Sequence, residues 1–328
     1  MNYPFKNIVF SGAGIAGISY IGVAKYLDEI NLLSQIKRVG GCSAGAISAC
    51  ILSFNLKYIQ TEQILNTLDY PKVAMKYEID DLEIFDKKIK HKRKKSFSNI
   101  KSMKRFVSKY GLYSSSYLYE WLKKQISLQF DDEKKKPPYT FKDFKDKSIH
   151  KDKREFKDLY IIGTNITKNT PCIFSYENTP NMEVAEAIRI SASIPFIFEA
   201  IKSDCGEKTN KKSDLFADGG LVKNYPLNIF DEKYPKEETF GVLFENVNSH
   251  NEIKNLVDYI KNVIYSSLNV QTEFYNKDHQ AKLRTIEVIT KDLKIKGFDV
   301  NKKDPAYTIL FEEGYNASKM YFDRYREI

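Results

Sequence analysis

The stretch Val39-Gly40-Gly41-Cys42-Ser43-Ala44-Gly45-Ala46 constrains the fold more than any other part of the chain. A β-prone run, Ile36 to Val39, enters it, and an Ala-rich helical run, Ala44 to Leu52, leaves it. Gly41 and Gly45 flank Ser43 at the spacing Gly-x-Ser-x-Gly, the sequence form of a nucleophile elbow. In such an elbow the serine occupies a strained turn between strand and helix. A Cβ at either flanking position would collide with neighbouring backbone. The helix start turns unpaired N–H groups and a positive dipole end toward the serine oxygen. A plain glycine turn with a serine helix cap has the same local sequence, so the rest of the chain must discriminate.

The segment before the elbow narrows the choice. Asn7 to Phe10 reads as a short buried strand, and an amphipathic helix is expected over Tyr20 to Ile30. Between them stand Gly12, Gly14 and Gly17, at the spacing Gly-x-Gly-x-x-Gly. Such a loop holds the pyrophosphate of a dinucleotide, or it turns its N–H groups toward a tetrahedral acyl intermediate. A dinucleotide site wants an acidic residue at the end of the second strand. Here that strand runs into Gly40-Gly41 and then Ser43, with no acid. Two loops rich in N–H groups, at the carboxyl ends of neighbouring parallel strands, point to acyl transfer rather than nucleotide binding.

A serine hydroxyl needs a partner to take its proton. His91 and His150 lie in Lys-rich segments, and His250 and His279 in polar ones. Each reads as a solvated surface histidine. Asp218 follows the strand Leu215 to Ala217 and precedes Gly219-Gly220. That places a carboxylate at a strand's carboxyl end with clearance around it, where the two glycine loops also lie. A solvated carboxylate is too weak a base for the task, so Asp218 is expected to be buried, with its pKa raised by desolvation.

Strand and helix alternate to the end of the 328 residues, which favours a single α/β domain over 1–328. Within it a core spans 8–231, a charged insertion falls at about 75–150, and 232–328 adds further strands and helices. Tyr117, Leu118, Trp121, Leu122 and Ile126 recur at helical spacing in the insertion and read as a packing stripe. The densest basic run is Lys87 to Lys95, and the net charge is +9. Lys-rich charge suits diffuse attraction to an anionic membrane surface better than base readout, so peripheral membrane contact is an expectation and nucleic acid is not. The run also reads as a solvated face. Cys42, Cys50, Cys172 and Cys205 show no Cys-x-x-Cys spacing, which argues for reduced thiols, a cytoplasmic setting and no structural zinc site. The Cys42 side chain is expected to project away from the elbow tip. No leader pattern and no apolar run of membrane-spanning length is present in the sequence.

Together, Gly12 to Gly17, Gly41 to Gly45 and Asp218-Gly219-Gly220 resemble the patatin-like phospholipase family. Ser191-Ala192-Ser193-Ile194-Pro195 and Lys223-Asn224-Tyr225-Pro226 extend the resemblance, which runs in order from about Ile8 to about Phe230. It implies a three-layer α/β sandwich with a mostly parallel central sheet. It further implies hydrolysis of phospholipid or another lipid ester, of the phospholipase A type, with no cofactor, metal or histidine. Carried over, Ser43 is the nucleophile and Asp218 the general base. Gly12, Ala13 and Gly14 offer oxyanion N–H groups, and Gly17, Gly41, Gly45, Gly219 and Gly220 are motif glycines. Two departures stand out: Ala13 replaces a third glycine, and Ala16 stands where many members carry Lys or Arg. Lys25 and Arg189 are candidates to replace that cation. The departures keep open a catalytically silent lipid- or membrane-binding protein as the alternative.

Overall fold

The computed structural model describes residues 3–73, 105–207, 213–246, 252–254, 256–290 and 300–327. The basic run Lys87 to Lys95, His91 and His250 lie outside them. Strand β1 (Asn7–Phe10) is buried along its whole length, and a 3₁₀ turn, Gly14–Ile18, leads into α1 (Ser19–Glu29). Strand β2 (Arg38–Cys42) runs on through both glycines, further than β-propensity suggests, because it pairs with a neighbour on each edge. Helix α2 (Ala44–Ser53) follows at once. Asn55, at φ +55°, breaks the apolar helical run there, and the chain resumes as α3 (Tyr58–Leu65) and α4 (Tyr70–Val73).

The described part of the insertion contributes β3 (Gly111–Tyr113), α5 (Ser116–Ser127) and α6 (Phe141–Lys145). Leu118, Trp121, Leu122 and Ile126 of α5 are buried, as the stripe requires. Then come β4 (Asp158–Asn165), β5 (Thr170–Phe174), α7 (Val184–Ser191), β6 (Phe196–Phe198), β7 (Ile201–Ser203), β8 (Asp214–Asp218) and the short α8 (Gly220–Lys223). The chain continues with β9 (Thr239–Asn246), α9 (Leu256–Lys277), α10 (His279–Leu283), β10 (Thr285–Thr290) and α11 (Pro305–Glu327).

The main sheet has the order β10-β9-β1-β2-β4-β8-β7, with β5 also paired to β4. The run from β10 to β4 is parallel, while β5 and β8 are antiparallel to β4. Strands β9 and β10, beyond residue 231, thus continue the same sheet on the β1 side. Alternation along β1 divides the core. Ile8 and Phe10 join the larger cluster with α1, α2 and α11, and Val9 joins Tyr160, Phe230, Leu243 and Tyr275 in the smaller one. Parallel strands covered on both faces read as continuous apolar runs, which is why β1 shows no alternation of polarity.

Register sets the active level of the sheet. Phe10 is opposite Gly41, Cys42 is opposite Ile162, and Gly163 is opposite Asp218. The two glycine loops therefore leave the sheet at one height. Asp218 reaches that height from the opposite direction, because β4 runs past β2 and β8 descends along its extension. Strand β8 is antiparallel to β4, yet its carboxyl end lies beside the two loops, where it was expected.

Helix α11 crosses α1 at contact distance. A Cβ on Gly22 would sit 2.0 Å from the Phe311 carbonyl oxygen, and one on Gly314 would sit 1.9 Å from that of Ser19. The closing helix is thereby fixed to the helix that follows the first glycine loop. Among the described residues no helix is long and apolar enough to cross a membrane.

Candidate active site

Ser43 stands between β2 and α2 at φ +53°, ψ −120°. A serine held there carries strain of about 1–3 kcal/mol, which surrounding contacts must offset. The two flanking glycines make the turn possible. A Cβ on Gly41 would lie 2.2 Å from the Gly45 carbonyl oxygen, and one on Gly45 would lie 2.5 Å from that of Phe10. The Ser43 carbonyl accepts from Ala46 N–H at 2.9 Å and starts α2, while the Ser43 N–H donates to Ser191 Oγ at 2.9 Å. Ser43 is 7% exposed.

Asp218 is buried and held at its backbone from both sides. Its N–H donates to the Ser193 carbonyl at 2.8 Å, and its carbonyl accepts from Thr164 Oγ1 at 2.9 Å. Gly219 packs against Ile162 and Gly220 against Asn224, so the chain turns back sharply after the carboxylate. Oδ1 accepts from Gly220 N–H at 2.7 Å and from the Cys42 thiol at 3.8 Å. Oδ2 is buried with no completed hydrogen bond. Burial pushes the carboxyl pKa up to about 7, against the opposing pull of the Ser43 hydroxyl, Gly220 N–H and Cys42 thiol. The side chain that sequence reasoning needed as a base has an open acceptor atom and a proton affinity matched to neutral pH.

The first glycine loop passes beside the nucleophile, since a Cβ on Gly12 would lie 3.3 Å from Ser43 Cβ. Ser11 anchors it: its N–H donates to the Val242 carbonyl at 3.0 Å, and its Oγ accepts from Phe244 N–H at 3.0 Å. Gly12 was expected to offer an N–H to the oxyanion. Instead that N–H donates to the Asn224 carbonyl at 3.0 Å, because α8 brings the Asn224 backbone against the loop. Ala13 and Gly14 have no such partner for their N–H groups among the turn and cap bonds of the described residues. Ala13 lies at φ −141°, which any L-residue tolerates, and Gly14 at φ +53°, where its lack of a side chain is used. Gly17 packs on Ala44, joining this loop to the start of α2.

Neither candidate cation supplies what Ala16 lacks. Ala16 is buried in the core. Arg189 donates to Ser115 Oγ at 2.7 Å and to Glu199 Oε1 at 2.8 Å, and Lys25 stands near Glu29 and over the Tyr315 ring. The reading of His150 as a solvated surface residue is also corrected. It is buried, with Nδ1 at 2.7 Å from the Arg154 carbonyl and Nε2 at 2.9 Å from that of Asp143, stacked on Phe156. An aromatic cluster of Phe130, Phe144 and Phe156 encloses it, which the surrounding lysines concealed. His279 opens α10 and is exposed. Cys42, expected to project away from the elbow tip, faces Asp218 Oδ1 at 3.8 Å. Burial and the Asp218 charge push its pKa well above the usual thiol value, which disfavours the thiolate.

A pocket opens at Ser43 between Gly14, Gly17 and Ala44. Its far walls are apolar: Ile47 from α2, Leu65 from α3, Leu68, Val73 from α4, Leu118 from α5, and Ile194 and Phe198. Ser43 and Gly14 thus stand at one end of a largely apolar channel. Sequence reasoning missed the contacts of Ser191 with Ser43, of Cys42 with Asp218 and of Asn224 with the Gly12 loop. The run of small residues at 191–193 was the signal for the first.

Residues 8–231 match the family model described as Patatin-like phospholipase. An uncharacterized protein of Acanthamoeba polyphaga mimivirus is 27% identical over 330 residues, covering 96% of this chain and 92% of that relative. A probable lipid hydrolase of Invertebrate iridescent virus 6 is 27% identical over 226 residues, covering 69% of this chain and 63% of its own length. The crystal structure of VipD from Legionella pneumophila superposes with a TM-score of 0.60 at 18% identity, over 98% of this chain and 67% of that one, a likeness of fold.

Proposed function

Because the chain belongs to the patatin-like phospholipase family, we propose that it hydrolyses lipid acyl esters through a serine–aspartate dyad of Ser43 and Asp218. The observation that carries this reading is the Asp218 carboxylate: buried at the elbow, its Oδ2 without a partner, its pKa near 7. The ester enters with its acyl chain along the apolar channel. Ser43 Oγ attacks the carbonyl carbon as Asp218 Oδ2 takes the hydroxyl proton. The carbonyl oxygen, now anionic, is held by the Ala13 and Gly14 N–H groups, each worth about 3–4 kcal/mol in comparable sites. The intermediate collapses, and the leaving alcohol takes the proton from Asp218. Water then gives a proton to Asp218 and attacks the acyl-serine, and the fatty acid departs as Ser43 regains its proton.

The relatives' lipid hydrolase name supports a lipid ester as substrate. The positive run Lys87 to Lys95 supports peripheral contact with an anionic lipid surface. The test is hydrolysis of a phospholipid and of a short-chain ester by the parent chain, Ser43→Ala and Asp218→Asn. Both variants should lose at least about a thousandfold in kcat. Near-parental turnover in either removes the dyad. A fluorophosphonate probe that labels the parent chain but not Ser43→Ala supports the enzyme. Failure to label the parent chain favours the silent lipid-binding alternative.

A further inference from the structure

The small-residue segment that closes α7 has no role in the dyad mechanism, yet it touches both of its members. Ser191 Oγ accepts the Ser43 N–H at 2.9 Å, and the Ser191 side chain also reaches the Cys42 thiol. Two residues on, the Ser193 carbonyl accepts the Asp218 N–H at 2.8 Å. Both serines are fully buried. The Ser193 hydroxyl turns the other way and donates to the Arg189 carbonyl at 2.7 Å. The ends of the segment are pinned to each other, since Arg189 donates to Glu199 Oε1 at 2.8 Å. Glu199 also accepts from Arg105 at 3.0 Å.

We propose that Ser191 is a positioning residue for the hydrolysis: its hydroxyl oxygen holds the strained Ser43 backbone so that Oγ faces Asp218 Oδ2. The inference rests on the dyad reading. Three features carry it. The Ser43 N–H belongs to the residue at φ +53°, so its direction fixes the turn from which the nucleophile projects. That N–H has already found its partner in Ser191, so it is the elbow's anchor and not an oxyanion donor. The segment reaches the base through backbone and the nucleophile through a side chain, so only the second link can be removed by substitution. A reaction that needs attacking and accepting atoms in near contact loses rate steeply when one of them drifts.

The geometry supplies its own control. Ser191→Ala and Ser193→Ala remove the same atom from neighbouring, equally buried positions, but only the first touches the nucleophile. Both variants and the parent chain are compared on a short-chain ester, with active sites counted by fluorophosphonate labelling. Ser191→Ala is expected to lower kcat about tenfold or more, with KM unchanged and the pH midpoint of the rate unmoved. Ser193→Ala should stay within about threefold of the parent. Equal losses in the two variants, or a loss in Ser191→Ala that falls on KM, would overturn the assignment. If Ser191→Ala does not fold, Ser191→Cys keeps a weaker acceptor at the same place. It should then show an intermediate kcat, and parental kcat there equally overturns the inference. Failure of the dyad itself reads differently, as turnover by Ser43→Ala or absence of labelling in the parent chain.

Discussion

Replacing Asp218 by Asn should abolish hydrolysis and, at alkaline pH, make the protein more stable. The carboxyl titrates at about 7 in the folded chain because burial disfavours its charge, against an ordinary value of 3.8. Between those two pH values the folded state binds a proton that the unfolded state has released. Its stability therefore falls as pH rises through that window. At about 1.4 kcal/mol for each tenfold change in proton affinity, the cost of the ionised form above pH 7 is about 4 kcal/mol. Asn keeps the acceptor that meets Gly220 N–H at 2.7 Å but leaves its NH₂ where the unpartnered Oδ2 stood. Seating that amide costs roughly 1–2 kcal/mol. The net gain at pH 8 is then about 2 kcal/mol. Below about pH 4 the parent carboxyl is neutral in both states and no gain remains. Urea unfolding of the parent chain and the variant at pH 8 and at the lowest pH where both stay folded measures the difference. A variant equally or less stable than the parent at pH 8 would refute the claim that the fold bears a desolvated charge at this position.

Three further outcomes follow from the same geometry. The kcat/KM of the parent chain should rise about tenfold per pH unit up to a midpoint near 7, read with a short-chain ester; a flat profile between pH 5 and 8 contradicts Asp218 as the base. Gly41→Ala should yield little folded protein, because its Cβ has backbone 2.2 Å away, and soluble yield with circular dichroism reports it. Ala192→Phe, at the pocket wall, should depress kcat/KM for long-chain esters by about tenfold or more while acetyl esters are little affected, measured across a series of chain lengths.

The local geometry around Ser43 was legible because glycines at strand ends mark the tight turns. Gly41 and Gly45 read as steric necessities from the sequence alone, and Asp218 is buried as expected. Contacts between distant segments were not legible. The direction of β8 depends on the long excursion between β4 and β8, whose sequence carries no polarity signal. The capture of the Gly12 N–H by Asn224 depends on where α8 settles, 212 residues along the chain. His150 was misjudged because its lysine neighbours face outward while aromatic rings, separated in sequence, close over the imidazole. The Cys42–Asp218 contact was not legible because alternation along a strand tells which face a side chain takes, and not which neighbour waits there.

The close crossing of α11 on α1 has a consequence for biosynthesis. The first glycine turn leads into α1, and α1 is braced by α11, which follows every pocket residue in the chain. A ribosome that has delivered Ser43, Asp218 and every pocket wall still holds a chain whose first helix lacks its cover. Lipid-cleaving competence should consequently switch on late, once residues 305–327 have emerged. A timed translation assay would see any hydrolytic activity lag behind the appearance of residue 231.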